Sequence, residues 1–196
     1  MNPVLKYAKR FGGKCGTLRQ NDFIKKYALE NRQGVCYGLS LLYISLHSKG
    51  IDFGLMRDHE SIWKLVDGLH SVFRNFHSEV GWASRFVPEW VKLSAPLVGL
   101  RVLLGDRCVS PFYFEISSAL EAHRGGAILH IANHACAVFK AKDGRVLFFD
   151  PNYGQATFMV WEHFVAFLYF YLRSGTVEKK YNLAASGVYV YRFELA

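Results

Sequence analysis

The sequence predicts an α+β domain in which helices come first and an antiparallel sheet follows. Three observations carry this. In the first half of the chain apolar residues recur at helical spacing, as in Ile62, Leu65, Val66, Leu69, Val72, Phe73 and Phe76. From Ala127 onward the period shortens to that of strands, and Asp143-Gly144 marks a hairpin. At 196 residues, with 51% hydrophobic and 16% aromatic side chains, the chain has the apolar surface for one real core.

Residues 1–19 hold a basic, glycine-broken stretch, KRFGGKCGTLR, which reads as a flexible N-terminal extension, with 20–196 as the folded domain. Asn21 or Asp22 caps a helix over roughly 22–31, with Phe23, Tyr27 and Leu29 on its apolar side. Gly34 breaks that pattern, and a second helix opens at Cys36 and runs apolar until Lys49 and Gly50. A third spans 58–78; a fourth, over 81–95, carries Trp82, Phe86, Trp90 and Leu93 and is interrupted by Pro88. Pro111 and the Phe-Tyr-Phe after it read as a loop or short strand, and Ser117 to Arg124 as a short helix. Ala127 to Lys140, Arg145 to Asp150 and Thr157 to Val160 read as strands, Trp161 to Arg173 as a helix, and Gly187 to Phe193 as a last strand.

A net charge of +8 points to an anionic partner. The bases are scattered, with no run longer than pairs such as Lys25-Lys26 or Lys179-Lys180 and no RNA-binding signature, so nucleic acid is set aside. No apolar run reaches the roughly 18 residues of a membrane span; the richest, Trp161 to Leu172, is shorter and carries Glu162 and His163. The stretch MNPVLKYAKRFGG has no apolar core of the Sec-signal kind, and Asn2 stands where myristoylation needs glycine. Cys15, Cys36, Cys108 and Cys136 show no CxxC spacing and read as reduced thiols.

The chemistry centres on GVCYGLS, residues 34–40. Cys36 is either a small buried hydrophobe or a nucleophile at the positive end of a helix. The segment HACAVFKAKDGRVLFFDPNYG, residues 134–154, supplies partners. If Lys142-Asp143-Gly144 is a three-residue loop with Gly144 left-handed, Ala141 faces Arg145 and Asp150 falls opposite Cys136. His134 then lies on the diagonal of the same sheet face, within side-chain reach; a two-residue turn would put the two on opposite faces. A cysteine at a helix start, a histidine and an aspartate form a chemically coherent set. An imidazolium near a helix N-terminus favours a thiolate, and a carboxylate fixes the imidazole tautomer. An oxyanion hole would use the Cys36 backbone N–H and an upstream amide, Asn31 or Gln33. Asn152 and Tyr153 are placed to line the cleft. The blander readings are a hydrogen-bonded strand histidine at 134 and turn chemistry at Asp150 before Pro151-Asn152. Zinc is a rival, because His130, His134 and Cys136 share one face if the strand is regular, with Asp150 near.

GVCYGLS, the HACAVF strand and FFDPNYG, in that order, resemble the YopT-type cysteine peptidases, papain-like enzymes found as bacterial effectors and toxin domains. The resemblance implies a papain-like fold, with a cleft between a helical half carrying Cys36 and a sheet half carrying His134 and Asp150. It implies Cys36 as nucleophile, His134 as general base and then acid, and Asp150 as orienter, with no cofactor and no metal. Asn31 matches the family's oxyanion amide and is preferred to Gln33. The implied reaction is peptide-bond cleavage by a secreted effector acting in the host cytosol or at a membrane. The implied partner is a host protein, such as a prenylated Rho-type GTPase or a kinase. The +8 charge draws the chain to anionic membrane, while polybasic tails repel it. The same triad also suits acyl transfer or deamidation, and a non-catalytic module binding host protein or membrane through a basic surface is the alternative outside enzymes. Gly12-Gly13-Lys14-Cys15-Gly16 departs from the Gly-Asp-Lys-Gly-Cys self-processing sequence of several members, so self-cleavage is not expected. No oligomeric state follows from the sequence.

Overall fold

Helix α3, Cys36–Ser48, is buried at every residue from Cys36 to Leu46. A helix apolar on all sides must be covered on all sides. The computed structural model of the chain, which describes residues 1–77, 87–108, 112–132, 134–183 and 188–196, shows what covers it.

One side is a sheet of seven strands: β1 (Lys14–Gly16), β2 (Leu100–Cys108), β3 (Gly125–Ile131), β4 (His134–Lys140), β5 (Val146–Asp150), β6 (Gly154–Phe158) and β7 (Val188–Leu195). They lie antiparallel in the order β1-β6-β5-β4-β3-β7-β2. Helices α2 (Gln20–Lys26), α4 (Phe53–Met56), α5 (Glu60–His77) and α6 (Glu89–Ser94) complete the core around α3. Helices α1 (Pro3–Arg10), α7 (Phe112–Glu121), α8 (Trp161–Leu172) and α9 (Gly175–Tyr181) build a second core on the other face of the sheet. Strand alternation divides β4 between them: Ala135, Ala137 and Phe139 face α3, while Cys136 and Val138 face α8. With both faces covered, these strands read as nearly continuous apolar runs. The α+β class and the antiparallel sheet are as expected.

Two glycines let α3 sit close to its neighbours. A Cβ at Gly38 would meet the Val66 carbonyl oxygen of α5 at 2.2 Å, and one at Gly126 would meet Ile44 Cγ2 at 2.0 Å. Gly38→Ala should therefore cost about 1–3 kcal/mol of stability by overpacking. Gly68→Ala, on an α5 position with nothing within 4 Å, should be neutral or stabilising. Urea denaturation of the two variants checks the contrast; equal midpoints would mean that α3 and α5 are not held this closely.

Several expectations are corrected. Residues 1–19 are not a loose extension. Asn2 caps α1 by accepting from the Leu5 N–H, Pro3 opens the helix, and Val4 and Ala8, one turn apart, are fully buried. β1 then pairs with β6 at the sheet edge. The glycines that suggested flexibility serve the passage from helix to strand. The stretch 127–140 is two strands, because Ile131 pairs with His134 across a tight turn in which Ala132 has φ 51°. Phe112 to Phe114 begin α7, and β2 and α9 were not anticipated. Helix α2 is shorter than expected, ending at Lys26 before Ala28 at φ 48°. Residues 81–86 of the expected fourth helix lie outside the described residues; α6 starts after Pro88.

Candidate active site

The β4–β5 hairpin has the register that its loop demands. Ala137 pairs with Phe149 and Lys140 with Val146. The Ala141 N–H donates to the Arg145 carbonyl at 2.8 Å, and Gly144 is left-handed at φ 86°. His134 at the start of β4 and Asp150 at the end of β5 therefore meet on one face. His134 Nε2 and Asp150 Oδ1 are 3.1 Å apart, and both residues are buried. Asp150 Oδ1 also accepts from the Asn152 N–H at 2.7 Å. Its Oδ2 accepts from the Tyr181 hydroxyl at 2.9 Å and, in a short contact, from the Tyr171 hydroxyl. The Tyr181 ring stacks on the His134 imidazole, with centroids 4.1 Å apart and planes at 12°.

This arrangement sets the charges. Burial alone would push His134 down, but the charge of Asp150 and its hydrogen bond prevail and raise it well above the ordinary histidine range. Burial would raise Asp150, yet the imidazolium and the hydrogen bonds it accepts hold it below the usual carboxylate range. Burial and the Asp150 charge push both tyrosines up, so each stays a hydroxyl donor.

Cys36 is the first residue of α3. It lines a cavity of about 350 Å³ whose walls include His134, Asn31, Gln33, Asn152 and Tyr181. The cavity opens where strands end and α3 begins, so a helix N-terminus and a strand-end histidine face one space. Gln20 ties these parts together. Its Oε1 accepts from the Val35 N–H at 2.7 Å, just before α3, and its Nε2 donates to Asn152 Oδ1 at 2.9 Å. Nothing in the local pattern singled out Gln20, Tyr171 or Tyr181, since each acts across a long sequence separation.

Other expected placements differ. Asn31 does not spare its amide for the cavity: Nδ2 donates to Asp67 Oδ1 at 2.6 Å, with Ser71 Oγ at 3.0 Å, and Oδ1 accepts from Arg74. It anchors its loop to α5. Gln33 is exposed and lines the cavity. Asn152 is in the wall, but Tyr153 is not; its carbonyl receives the Asn2 amide at 2.6 Å. His130 pairs with Ala135 and so faces the α3 side, against Phe73 and Trp90, away from His134. The tight turn reverses the face that a single strand would have given it.

The second thiol at the site is Cys136. The donor atoms of His134, Cys136 and Asp150 all lie within 4.8 Å of one another, close enough for a cation. The Asp150 oxygens, however, already accept from His134, Asn152, Tyr171 and Tyr181. Burial and the Asp150 charge push the Cys136 thiol up to about 12, so it stays protonated.

A model of the peptidase family described as Yersinia/Haemophilus virulence surface antigen matches residues 118–184, the segment that carries His134, Asp150, Tyr171 and Tyr181. The crystal structure of the Pseudomonas avirulence protein AvrPphB is similar, with a TM-score of 0.60 and 17% identity, over 84% of this chain and 94% of that one. PatoxP, a cysteine protease-like domain of the Photorhabdus asymbiotica toxin PaTox, matches with a TM-score of 0.55 and 13% identity, over 97% of this chain and 57% of that one. No curated protein matches the chain. The fold is the papain-like α+β fold of AvrPphB. Fold and family match together support one class, a cysteine peptidase. The proteins it is similar to are bacterial virulence and toxin proteins of the YopT/AvrPphB type. Among the described residues no helix is long and apolar enough to cross a membrane.

Proposed function

We propose that the chain is a cysteine endopeptidase in which Cys36 is the nucleophile, His134 the general base and then acid, and Asp150 the orienter. The observation that carries this reading is the shared cavity: Cys36 at a helix N-terminus and His134 line it, and Asp150 holds His134 from behind. With Nε2 engaged by Asp150, the proton-exchanging nitrogen of His134 is Nδ1. The Cys36 sulfur attacks the carbonyl carbon of the scissile bond, and the oxygen takes the negative charge. The Cys36 backbone N–H at the helix start stabilises that charge. As the intermediate collapses, the C–N bond breaks and His134 gives its proton to the leaving amine. Water, deprotonated by His134, then hydrolyses the thioester and restores the thiol. Cys136 is held as a neutral thiol and plays no part in attack.

The substrate on this reading is a host protein reached after delivery into the host cell, in the cytosol or at an anionic membrane that the +8 charge favours. A prenylated Rho-type GTPase or a kinase fits the family resemblance. The test is to incubate host-cell lysate and membranes with wild type and with Cys36→Ala, then to map new protein N-termini. New termini in the wild-type sample alone support proteolysis. An intact substrate carrying a transferred acyl group, or an acid in place of an amide, replaces it with acyl transfer or deamidation. A cellular effect that survives Cys36→Ala replaces it with a binding module.

A further inference from the structure

Helix α9 turns Val177 and Tyr181, one turn apart, to the interior; Val177 is fully buried and Tyr181 is 2% exposed. Ser174 caps the helix by accepting from the Val177 N–H at 3.3 Å, and Asn182, left-handed at φ 49°, ends it just after Tyr181. Every group of Tyr181 is then engaged at the site. Its hydroxyl donates to Asp150 Oδ2 at 2.9 Å and accepts from Asn152 Nδ2 at 3.0 Å. Its ring lies on the His134 imidazole, with centroids 4.1 Å apart and planes at 12°. A tyrosine that only filled the second core would need none of these contacts. The chain of bonds continues from Asn152 through Gln20 to the Val35 N–H beside Cys36, so the ring stands between the α3 entry and the imidazole.

An imidazole turns freely about its terminal side-chain bond unless it is held both in its plane and against its face. Asp150 Oδ1, 3.1 Å from Nε2, holds it in plane. We propose that Tyr181 holds it from the face and is a positioning residue of the site: its ring keeps the His134 imidazole from turning away from Asp150, and the two hydrogen bonds of its hydroxyl keep the ring in place. The consequence for catalysis rests on the reading of His134 as general base; the stacking itself does not. The negative π face of the ring also favours the charged imidazole over the neutral one. The titratable groups around His134 are Asp150 on β5, Cys136 on its own strand, Tyr171 on α8 and Tyr181. Across the cavity stand Cys36 of α3, His70 and Arg74 of α5, and Lys180, whose Nζ lies over the Tyr153 ring at 4.7 Å. A change at Tyr181 alone leaves all the others in place.

The test compares Tyr181→Phe, which keeps the ring, with Tyr181→Leu and Tyr181→Met, which remove it, with thermal melting to confirm folding. The first readout is the NMR titration of the His134 ring protons in a Cys36→Ala background, where no thiol at position 36 interferes. Tyr181→Leu and Tyr181→Met should lower the His134 midpoint by about 0.5–1.5 pH units, and Tyr181→Phe should stay near the unchanged protein. The second readout is turnover of p-nitrophenyl acetate with Cys36 present, corrected for the Cys36→Ala background. Sγ bonds to the acetyl carbon and p-nitrophenolate leaves with its electron pair; water then gives a proton to His134 and attacks the thioester, and acetate leaves as the sulfur regains a proton. The thiol is masked in the acetylated protein, so the rise of deacetylation with pH follows His134. In the two non-aromatic variants that rise should move down by the same interval, with a plateau lower by about 10-fold or more. An unchanged midpoint in folded Tyr181→Leu and Tyr181→Met, or an equal shift in Tyr181→Phe, overturns the assignment to the ring. If neither non-aromatic variant folds, the Cys36→Ala protein decides: His134 ring protons moved upfield by the stacked tyrosine support the placement, and unshifted ones overturn it. If the midpoints shift as expected but Cys36 is never acetylated, the nucleophile reading fails while the placement of Tyr181 stands.

Discussion

Replacing Cys36 with alanine is expected to abolish peptide cleavage, and His134→Ala to lower kcat/KM by roughly 10²–10⁴-fold, the usual range for loss of general acid–base catalysis. The two changes remove parts of one device, so the double variant should be no worse than Cys36→Ala alone. Cys136→Ser is the informative comparison. Cys136 is as close to His134 as a ligand would be, but it is fully buried and held protonated, so its loss should leave most of the activity. Kinetics on a peptide taken from an identified cleavage site measures all four variants. Full activity in Cys36→Ala with none in Cys136→Ser would move the nucleophile to the other thiol. Additive losses in the double variant would mean that Cys36 and His134 do not act as a pair.

Asp150→Ala should cost the fold more than any other change at the site. The Asp150 carboxylate is fully buried and accepts from His134, Asn152, Tyr171 and Tyr181. Removing it strands those donors and leaves an imidazole that burial drives towards neutrality. Breaking a buried pair in this way costs about 3–5 kcal/mol, which in a domain of this size lowers Tm by roughly 6–20 °C. Asp150→Asn, which keeps the shape and some acceptor capacity, should lie between this and wild type. The pH dependence has a definite sign. His134 is raised on folding, so its contribution is complete below about pH 6.5 and is lost as pH climbs through its folded value. Asp150 is lowered on folding, so its contribution is present above about pH 3.9 and is lost as pH falls through its folded value. Wild-type Tm should therefore be highest between those limits, and Asp150→Asn should flatten both flanks. A wild-type profile with no alkaline decline would show that the pair is not an ion pair in the folded protein.

The parts of the site that were legible in the sequence are those set by local rules. A three-residue loop with glycine in the left-handed position dictates hairpin register, and register alone brings His134 and Asp150 to one face. The hydrophobic run after Gly34 likewise announces a buried helix beginning at Cys36. The N-terminal helix was equally readable, in Asn2, Pro3, Val4 and Ala8, but the glycines and bases that follow drew the eye to flexibility. The break between β3 and β4 carried no such mark, because Ala132 takes a positive φ that alanine seldom adopts. That one turn decides which face His130 occupies.

By itself, then, the amino-acid sequence determined the α+β class and the order of the chemical residues, and it made the pairing of His134 with Asp150 follow from a three-residue hairpin loop, because periodicity and turn chemistry act over a few residues. Only the tertiary structure decided what surrounds that pair. Tyr181 lies on His134, Tyr171 and Tyr181 hold Asp150, Gln20 bridges the α3 entry to Asn152, and Asn31 turns to Asp67 while His70 stays in the cleft wall. Each of these contacts joins residues that only tertiary packing brings together, and no local propensity encodes a hydrogen bond that closes only when that packing is in place.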